Sequence, residues 1–498
     1  MNKFNLIDEP WIPVTGVGLV SLHALFSNTE YRALGGNPVQ KIALTKLLLA
    51  IAQSACTPED NDEWANLKPV GLATKCLEYL NQWHDSFYLY GEKPFLQIPA
   101  IKVAVVQSFG AVLAEVSTGN TTVLTQSQVE KTFTDADKAI LLIQLMGFAL
   151  SGKKTDNSIV LSIGYQDKTN DKGKPSSGKY GPSLGYYGFL HNFLQGQSVV
   201  ETLWLNLFSS EQILIMGIYP KGLGIAPWVL MPTGESCLVA ESLKSSLMGR
   251  LLPVSRFCLL TERGLHYSEG ILHAGYKDGI VDPSISVDFS IKDFKAIWAD
   301  PEKRPWRLLT ALLSFLSQVS NKSFDCPQLR LTISRAVPML SNIGIWSGGL
   351  RVSNNAGEQF VSGSDDFVES LIQFEPAMLK EHPWFQNFKL EISGLEALSK
   401  SVYMSTLSYF KSQNMESKDQ AALASNLFWQ LCERKLNDLI SACDSTETAQ
   451  ILRPAFLQIA QKAYDTYCPN DTARQLDAWA KNRPKLSKYL KPLIKETV

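Results

Sequence analysis

The rhythm of apolar positions changes several times along this 498-residue chain. Residues 4–26 alternate short apolar groups with Pro10, Pro13 and Gly16, the pattern of a strand, a turn and a second strand. QKIALTKLLLAIAQSA at 40–55 has helical length and strong helix formers, and its near-continuous apolar character predicts a helix buried on most sides. TFTDADKAILLIQLMGFAL at 132–150 predicts another buried helix: Thr134 stands as N-cap with Asp137 three residues later, a capping-box arrangement, and Ser151-Gly152 ends it. Residues 153–185, rich in Lys, Gly, Ser and Asp, read as a surface excursion with one short strand at SIVLSIGY. From 200 to 362 short β-type runs mix with helical ones such as PWRLLTALLSFLSQV at 305–319. Beyond about 365 helical patterns take over at 395–412, 418–443, 447–466 and 471–492, the last kinked at Pro484. The prediction is an α+β chain: a large mixed N-terminal domain at 1–364, then a C-terminal four-helix bundle at 365–498.

Composition narrows this picture. The chain is longer than one hydrophobic core usually grows, and 45% hydrophobic with 19% charged residues is the make-up of a folded protein. With 47 basic and 48 acidic residues the net charge is -1, so the broad positive field of an autonomous nucleic-acid binder is missing. Any such binding is local or shared with partner chains. Basic residues do gather at Lys153, Lys154, Lys168, Lys172, Lys174 and Lys179, and again at Arg474, Lys481, Arg483, Lys485, Lys488, Lys491 and Lys495. Such clusters suit phosphate contacts, and equally a solvated loop and helix face. The eight cysteines form no C-x-x-C pair and read as cytosolic core thiols; with neither a signal-peptide pattern nor a run of about twenty apolar residues, a cytoplasmic location is expected.

Candidate chemistry is sparse. The six histidines include no H-x-x-x-H pair, so no metal site is predicted. Asp365-Asp366 could be half of a nuclease site, but adjacent side chains in a strand diverge, and the start of a helix suits them better. Glu59, Asp60, Asp62 and Glu63 read as a polar loop after the 40–55 helix. KGLGIAP at 221–227 lacks the third glycine and the helix of a phosphate-cradling loop, and no nucleophile elbow occurs. No catalytic residue and no cofactor are predicted.

Several stretches resemble one family. FNLIDEPWIPV (Phe4 to Val14) and GEKPFLQIPAIK (Gly91 to Lys102) are similar, in order, to signatures of the large subunit, CasA type, of the type I-E CRISPR Cascade surveillance complex. The resemblance implies a protein that is not an enzyme. It would recognise a protospacer-adjacent motif (PAM) on double-stranded DNA, wedge the duplex open to start R-loop formation, and help recruit the helicase-nuclease. Its implied partners are guide RNA, target DNA and the other Cascade subunits: backbone, small and guide-foot. Guide pairing then reads the remaining sequence, the division of labour known for another RNA-guided effector.

By the same resemblance, Ser353, Asn354, Asn355 and Ala356, after Gly348-Gly349, stand where the family carries its wedge, with glycines giving the base freedom to swing. Val123, Leu124, Thr125 and Gln126 stand in the PAM-sensing and guide-contacting loop, without the aromatic and Asn usual there. Ser151, Gly152, Lys153 and Lys154 resemble the minor-groove glycine loop. Lys277, Lys292 and Lys295 are assigned to the minor groove and displaced strand. Two rival readings stay open: a purely structural scaffold subunit of a ribonucleoprotein, and a cytosolic hydrolase with a spatially assembled site.

Overall fold

The computed structural model describes residues 4–113, 132–148, 155, 156, 161, 171, 188–273, 282–288, 295–301, 305–308, 324–352, 367–375, 382–416 and 418–490. The chain is a mixed α+β protein of many helices and small sheets. It divides into two compact units, one of residues 1–301, 323–336 and 345–369, the other of residues 302–322, 337–344 and 370–498.

In the first unit the central element is the helix Pro38–Ala55. Asn37 accepts from the Gln40 backbone N–H at 2.9 Å while Gln40 Oε1 accepts from that of Asn37 at 3.0 Å, and Pro38 occupies a first-turn position that needs no donor. Its apolar residues point all round because helices Asn61–Gln82, Asp135–Gly147 and Val199–Asn206 cover it. The four acids expected in a polar loop instead start the Asn61–Gln82 helix. Asp60 caps Glu63 N at 2.8 Å, Glu63 caps Glu59 N at 2.7 Å, and Asp62 and Glu63 sit where the helix dipole favours negative charge. This helix breaks at Lys68 (φ 56°), because Pro69 disfavours helical backbone in the residue before it. The Thr134–Asp137 capping box forms as expected, and that helix ends at Gly147.

Among the described residues the strands form four small sheets. β1 (Ile12–Val14) and β2 (Gly18–Val20) make the expected N-terminal hairpin, pairing Ile12 with Val20. β3 (Val106–Ser108) flanks a hairpin of β5 (Arg256–Leu260) and β6 (Gly264–Glu269), all antiparallel. β7 (Val287–Asp288) lies between β8 (Lys295–Ala296) and β9 (Phe324–Asp325). β10 (Ile343–Leu350) is central between β4 (His191–Gln195) and β11 (Phe367–Phe374). β11 is a strand where the rhythm beyond 365 predicts helix. Its residues alternate half-exposed and buried, and pairing with β10 overrides the helix formers Glu, Leu and Gln in its sequence.

The second unit is built of the helices His382–Lys411, Lys418–Glu433, Leu436–Ala442, Thr446–Tyr467 and Ala473–Lys481. The expected 395–412 helix therefore starts at His382, and the expected 418–443 helix is two, parted at Arg434-Lys435. The expected 471–492 helix stops at Lys481, with Pro484 between it and a last turn, Ser487–Leu490. Between 305 and 319 only the turn Pro305–Leu308 is described. Inside this unit Arg453 and Glu391, at 1% and 2% exposure, pair at 2.5 Å, and the Tyr489 hydroxyl donates to the same carboxylate. The Arg474–Lys485 region is less positive in effect than its sequence: Lys481 pairs with Asp477 at 2.8 Å, and Arg483 lies 3.6 Å from Asp465 and over the Trp479 ring. All eight cysteines are free, six of them buried. No described helix is long and apolar enough to cross a membrane.

Candidate functional site

The two signature stretches are structural. In FNLIDEPWIPV, Leu6, Trp11 and Ile12 are fully buried. Asn5 is the staple: its carboxamide accepts from Ile7 N at 2.8 Å and donates to His84 O at 3.1 Å, while Trp11 Nε1 donates to Leu6 O. In GEKPFLQIPAIK, Gln97 bridges two elements, donating to Leu89 O and accepting from Leu260 N, both at 2.8 Å. Beside it opens a cavity of about 500 Å³ lined by Trp83, Phe95 and Trp228. Residues matched for recognition hold the first unit together; they are not its reactive groups.

Of the site residues the sequence singles out, Ser353, Asn354, Asn355, Ala356, Val123, Leu124, Thr125, Gln126, Ser151, Gly152, Lys153, Lys154, Lys277 and Lys292 lie outside the described residues. Lys295 is in β8, opposite Asp288 of β7 in the antiparallel register. What the structure supplies is the ground from which each segment leaves, and all of these roots are in the first unit.

A cluster of rings and charges lies at the described residues on either side of 114–131. Phe109, just upstream, stacks on Phe133, just downstream, with centroids 4.8 Å apart. Asp135 accepts from the Tyr90 hydroxyl at 2.5 Å and lies 3.5 Å from the Lys138 ammonium, which sits 5.8 Å from the centroids of both Tyr90 and Phe109. Burial, helped by Asp135, pushes the Tyr90 hydroxyl well above its ordinary pKa, so it stays a donor.

Just downstream of residues 149–154, Thr155 and Asp156 are held by side-chain bonds. Thr155 donates to Glu269 at 3.2 Å, and Asp156 accepts from Val105 N at 3.0 Å while its own N–H donates to Tyr267 O. Glu269 is itself paired at 2.8 Å with Arg256, both nearly solvent-free.

The described residues flanking 274–281, His273 and Asp282, are both buried polar anchors. His273 Nε2 donates to Pro253 O at 2.6 Å. Asp282 pairs with Lys46 and accepts from Ser284 N at 3.0 Å and Ser284 Oγ at 2.7 Å. The only hydroxyl proton of Ser284 is thereby used, so the 2.9 Å contact with His191 Nδ1 must be donated by the imidazole. Burial pushes His191 down to about 3, Lys46 adding and Asp282 opposing, and burial with Arg250 does the same to His273. Both rings are neutral. Burial alone would raise the Asp282 carboxyl; Lys46 and the hydroxyl hold it below its ordinary value, while burial pulls the Lys46 amine down.

The segment 353–366 is rooted in β10 and β11, and here an expectation is overturned. Gly348 and Gly349 do not loosen the base. All eight residues of β10 are buried. A Cβ on Gly348 would lie 2.5 Å from the Trp346 ring, and one on Gly349 would lie 2.7 Å from Phe189 O and 2.8 Å from Ala299 Cβ. Their smallness admits a folded-back indole and a neighbouring strand, which makes the base stiff. Ser347 Oγ donates to Asn192 at 2.6 Å, and Glu369 Oε1 accepts from both Trp346 Nε1 at 2.7 Å and Lys41 Nζ at 2.5 Å. Nothing in the sequence singled out Glu369, because Lys41 and Trp346 reach it only through the fold.

Among the described residues no group of three or more His, Cys, Asp or Glu could hold a metal ion. Known proteins agree on the family. The model of the family described as CRISPR-associated protein Cse1 matches residues 5–467. A CRISPR-associated protein CasA/Cse1 of Thermus thermophilus is 28% identical over 340 residues, which span 63% of this chain and 61% of that relative's length. In fold, the chain is similar to Thermus thermophilus CasA (TM-score 0.72, 19% identity, 98% of this chain and 99% of that one) and to Thermobifida fusca Cse1 (0.71, 20%, 98% of each). It is also similar to a chain of a CRISPR RNA-guided surveillance complex (0.63, 13%, 98% of this chain and all of that one). With the family model spanning nearly the whole chain, from the Asn5 staple to Tyr467, the protein belongs to the family of CRISPR-associated protein Cse1.

Proposed function

We propose that this chain is a non-catalytic subunit that recognises the PAM on double-stranded DNA, wedges the duplex open to start R-loop formation, and helps recruit the helicase-nuclease. The observation that carries the reading is what flanks residues 353–366: within a chain of this family, the sequence Ser353-Asn354-Asn355-Ala356-Gly357 lies between the fully buried strand β10 and its sheet neighbour β11. A wedge needs a slim polar tip and a base that does not yield, because unstacking costs a few kcal/mol per base step. Ser353, Asn354, Asn355 and Ala356 form the tip. Val123 to Gln126 sense the PAM and contact guide RNA, Ser151 to Lys154 approach the minor groove, and Lys277, Lys292 and Lys295 contact phosphates of the target and displaced strands. The other Cascade subunits hold most of the RNA and DNA, which accounts for a net charge of only -1. The assembly works in the cytoplasm, with residues 365–498 serving as the helical bundle that meets the small subunits.

The test is an Asn354→Ala/Asn355→Ala double variant in the assembled, guide-loaded complex. Opening of a matched duplex, followed by fluorescence of a base analogue beside the PAM, should slow markedly, while binding to single-stranded target persists. Equal opening by variant and native complexes would leave the chain a scaffold.

A further inference from the structure

The cavity beside Gln97 opens where separate stretches of the first unit meet. Its volume is about 500 Å³, and its walls come from Trp83, from the signature stretch at Glu92–Ala100 and from Pro227–Thr233. Four wall residues, Pro94, Pro99, Pro227 and Pro232, have φ fixed by their rings, and Gln97 ties one wall to Leu89 and Leu260. Trp228 Nε1 donates to the Tyr79 hydroxyl at 2.9 Å, and the Phe87, Phe95 and Trp228 rings pack together with centroids 4.8, 5.5 and 6.1 Å apart. Leu96, also in the wall, is held at φ 52°, a left-handed backbone that a leucine keeps only where its surroundings impose it, as they do at ligand clamps. Such walls are rigid, and the cavity they enclose is preformed.

The lining selects its occupant. Among the described residues that line the cavity, Glu92 and Lys93 are the only charged ones, and both are exposed, so no cation waits inside for a phosphate. Phe95 and Trp228 are 1% and 7% exposed, too little ring face for a base to stack on. What stays open is aliphatic: Leu230, in the wall, is 48% exposed. The apolar surface also continues past the mouth. Pro99–Val103 is a 3₁₀ helix, in which side chains three apart eclipse, so Val103 follows the row of Ala100 and Lys102 that of Pro99. Val103 is 65% exposed. A free aliphatic molecule would fill the cavity and leave Val103 in water, whereas a polypeptide covers both. Lys93 and Lys102 stand against Glu92, none of them in an ion pair, so the rim carries two ammonium groups to one carboxylate and favours acids on the occupant.

We propose that this cavity is a docking site for a short polypeptide segment of a partner protein, one that inserts a Leu, Ile or Met side chain and carries Asp or Glu beside it. The site is independent of the DNA reading proposed above.

The experiment pans a random peptide library displayed on phage against the purified full chain, then measures the affinity of enriched peptides by fluorescence polarisation. Enriched peptides should share a Leu, Ile or Met with Asp or Glu close by. Their affinity should fall about tenfold or more in Leu230→Glu, which puts a carboxylate on the wall, and in Ala100→Trp, which fills the mouth. It should be unchanged in Leu214→Glu, which alters a leucine 80% exposed outside the lining. Lys93→Glu/Lys102→Glu should weaken binding about threefold or more and remove most of its salt dependence. Should Leu230→Glu melt well below the native chain, Ala100→Trp, which removes no packed atom, carries the comparison. No enrichment overturns the proposal, as does enrichment of basic flanks in place of acidic ones. Peptides that bind Leu230→Glu and Ala100→Trp as tightly as the native chain overturn it too. Displacement by single-stranded RNA or by decanoate more readily than by unlabelled peptide assigns the cavity to another ligand and overturns it as well.

Discussion

The Lys46–Asp282 pair offers the sharpest test of how the first unit holds its buried charges. Its side chains are 1% and 0% exposed, and Asp282 is the first described residue after the segment that carries Lys277. Lys46→Met leaves a buried carboxylate with only the two donors of Ser284; Asp282→Asn leaves a buried ammonium facing a neutral amide and the Arg250 carbonyl at 2.9 Å. Breaking one side of such a pair costs about 3–5 kcal/mol, against about 0–1 kcal/mol for an exposed pair. The two variants should also respond oppositely to pH. In Lys46→Met the folded carboxyl pKa rises above its unfolded value, so the penalty is present at neutral pH and fades as pH falls toward 4. In Asp282→Asn the folded amine pKa falls further below its unfolded value, so the penalty fades as pH rises toward 10. Urea unfolding of the purified chain at pH 5, 7 and 9 measures both, and Lys46→Met/Asp282→Leu should regain most of the loss. A cost under about 1 kcal/mol for either single variant, or the same pH trend in both, would refute a buried, charged anchor.

His191 and His273, each pushed by burial to about 3, are neutral when folded and charge on unfolding, so stability should be complete above about pH 6.5 and drain away as pH falls toward 3. Each contributes a loss of about 1.4 kcal/mol by pH 5.5, read from urea midpoints, and His191→Gln should flatten the profile. In the second unit Arg453→Met should cost about 3–5 kcal/mol by the same assay, with Arg453→Met/Glu391→Leu regaining much of it; a near-neutral single variant contradicts the buried geometry.

The sequence disclosed what is local or periodic. The Thr134 capping box, the buried 40–55 helix and the N-terminal hairpin follow from residues three or two apart. It misjudged elements that distant partners decide. FVESLIQF reads as helix until β10 is beside it, and Glu59–Glu63 reads as loop until Asp60 is seen to cap a helix that Pro69 then breaks. The glycines of WSGGL look like hinge residues because a sequence cannot show what fills the space their missing side chains leave; here it is the Trp346 ring and the Phe189 backbone. Glu369 and Lys41 are 328 positions apart, beyond any motif. The family signatures were legible for the opposite reason: short, dense clusters of buried residues such as Leu6, Trp11 and Gln97 tolerate little change.

The central claim is that this chain makes target binding depend on the DNA flank. The direct measurement is the affinity of guide-loaded complex, with and without the chain, for duplexes that share one matched target and carry randomised flanks, at fixed salt because phosphate contacts are salt-dependent. The account predicts that selection among flanks appears only when the chain is present, with single-stranded target bound equally by both. Equal recovery of all flanks in its presence would contradict it.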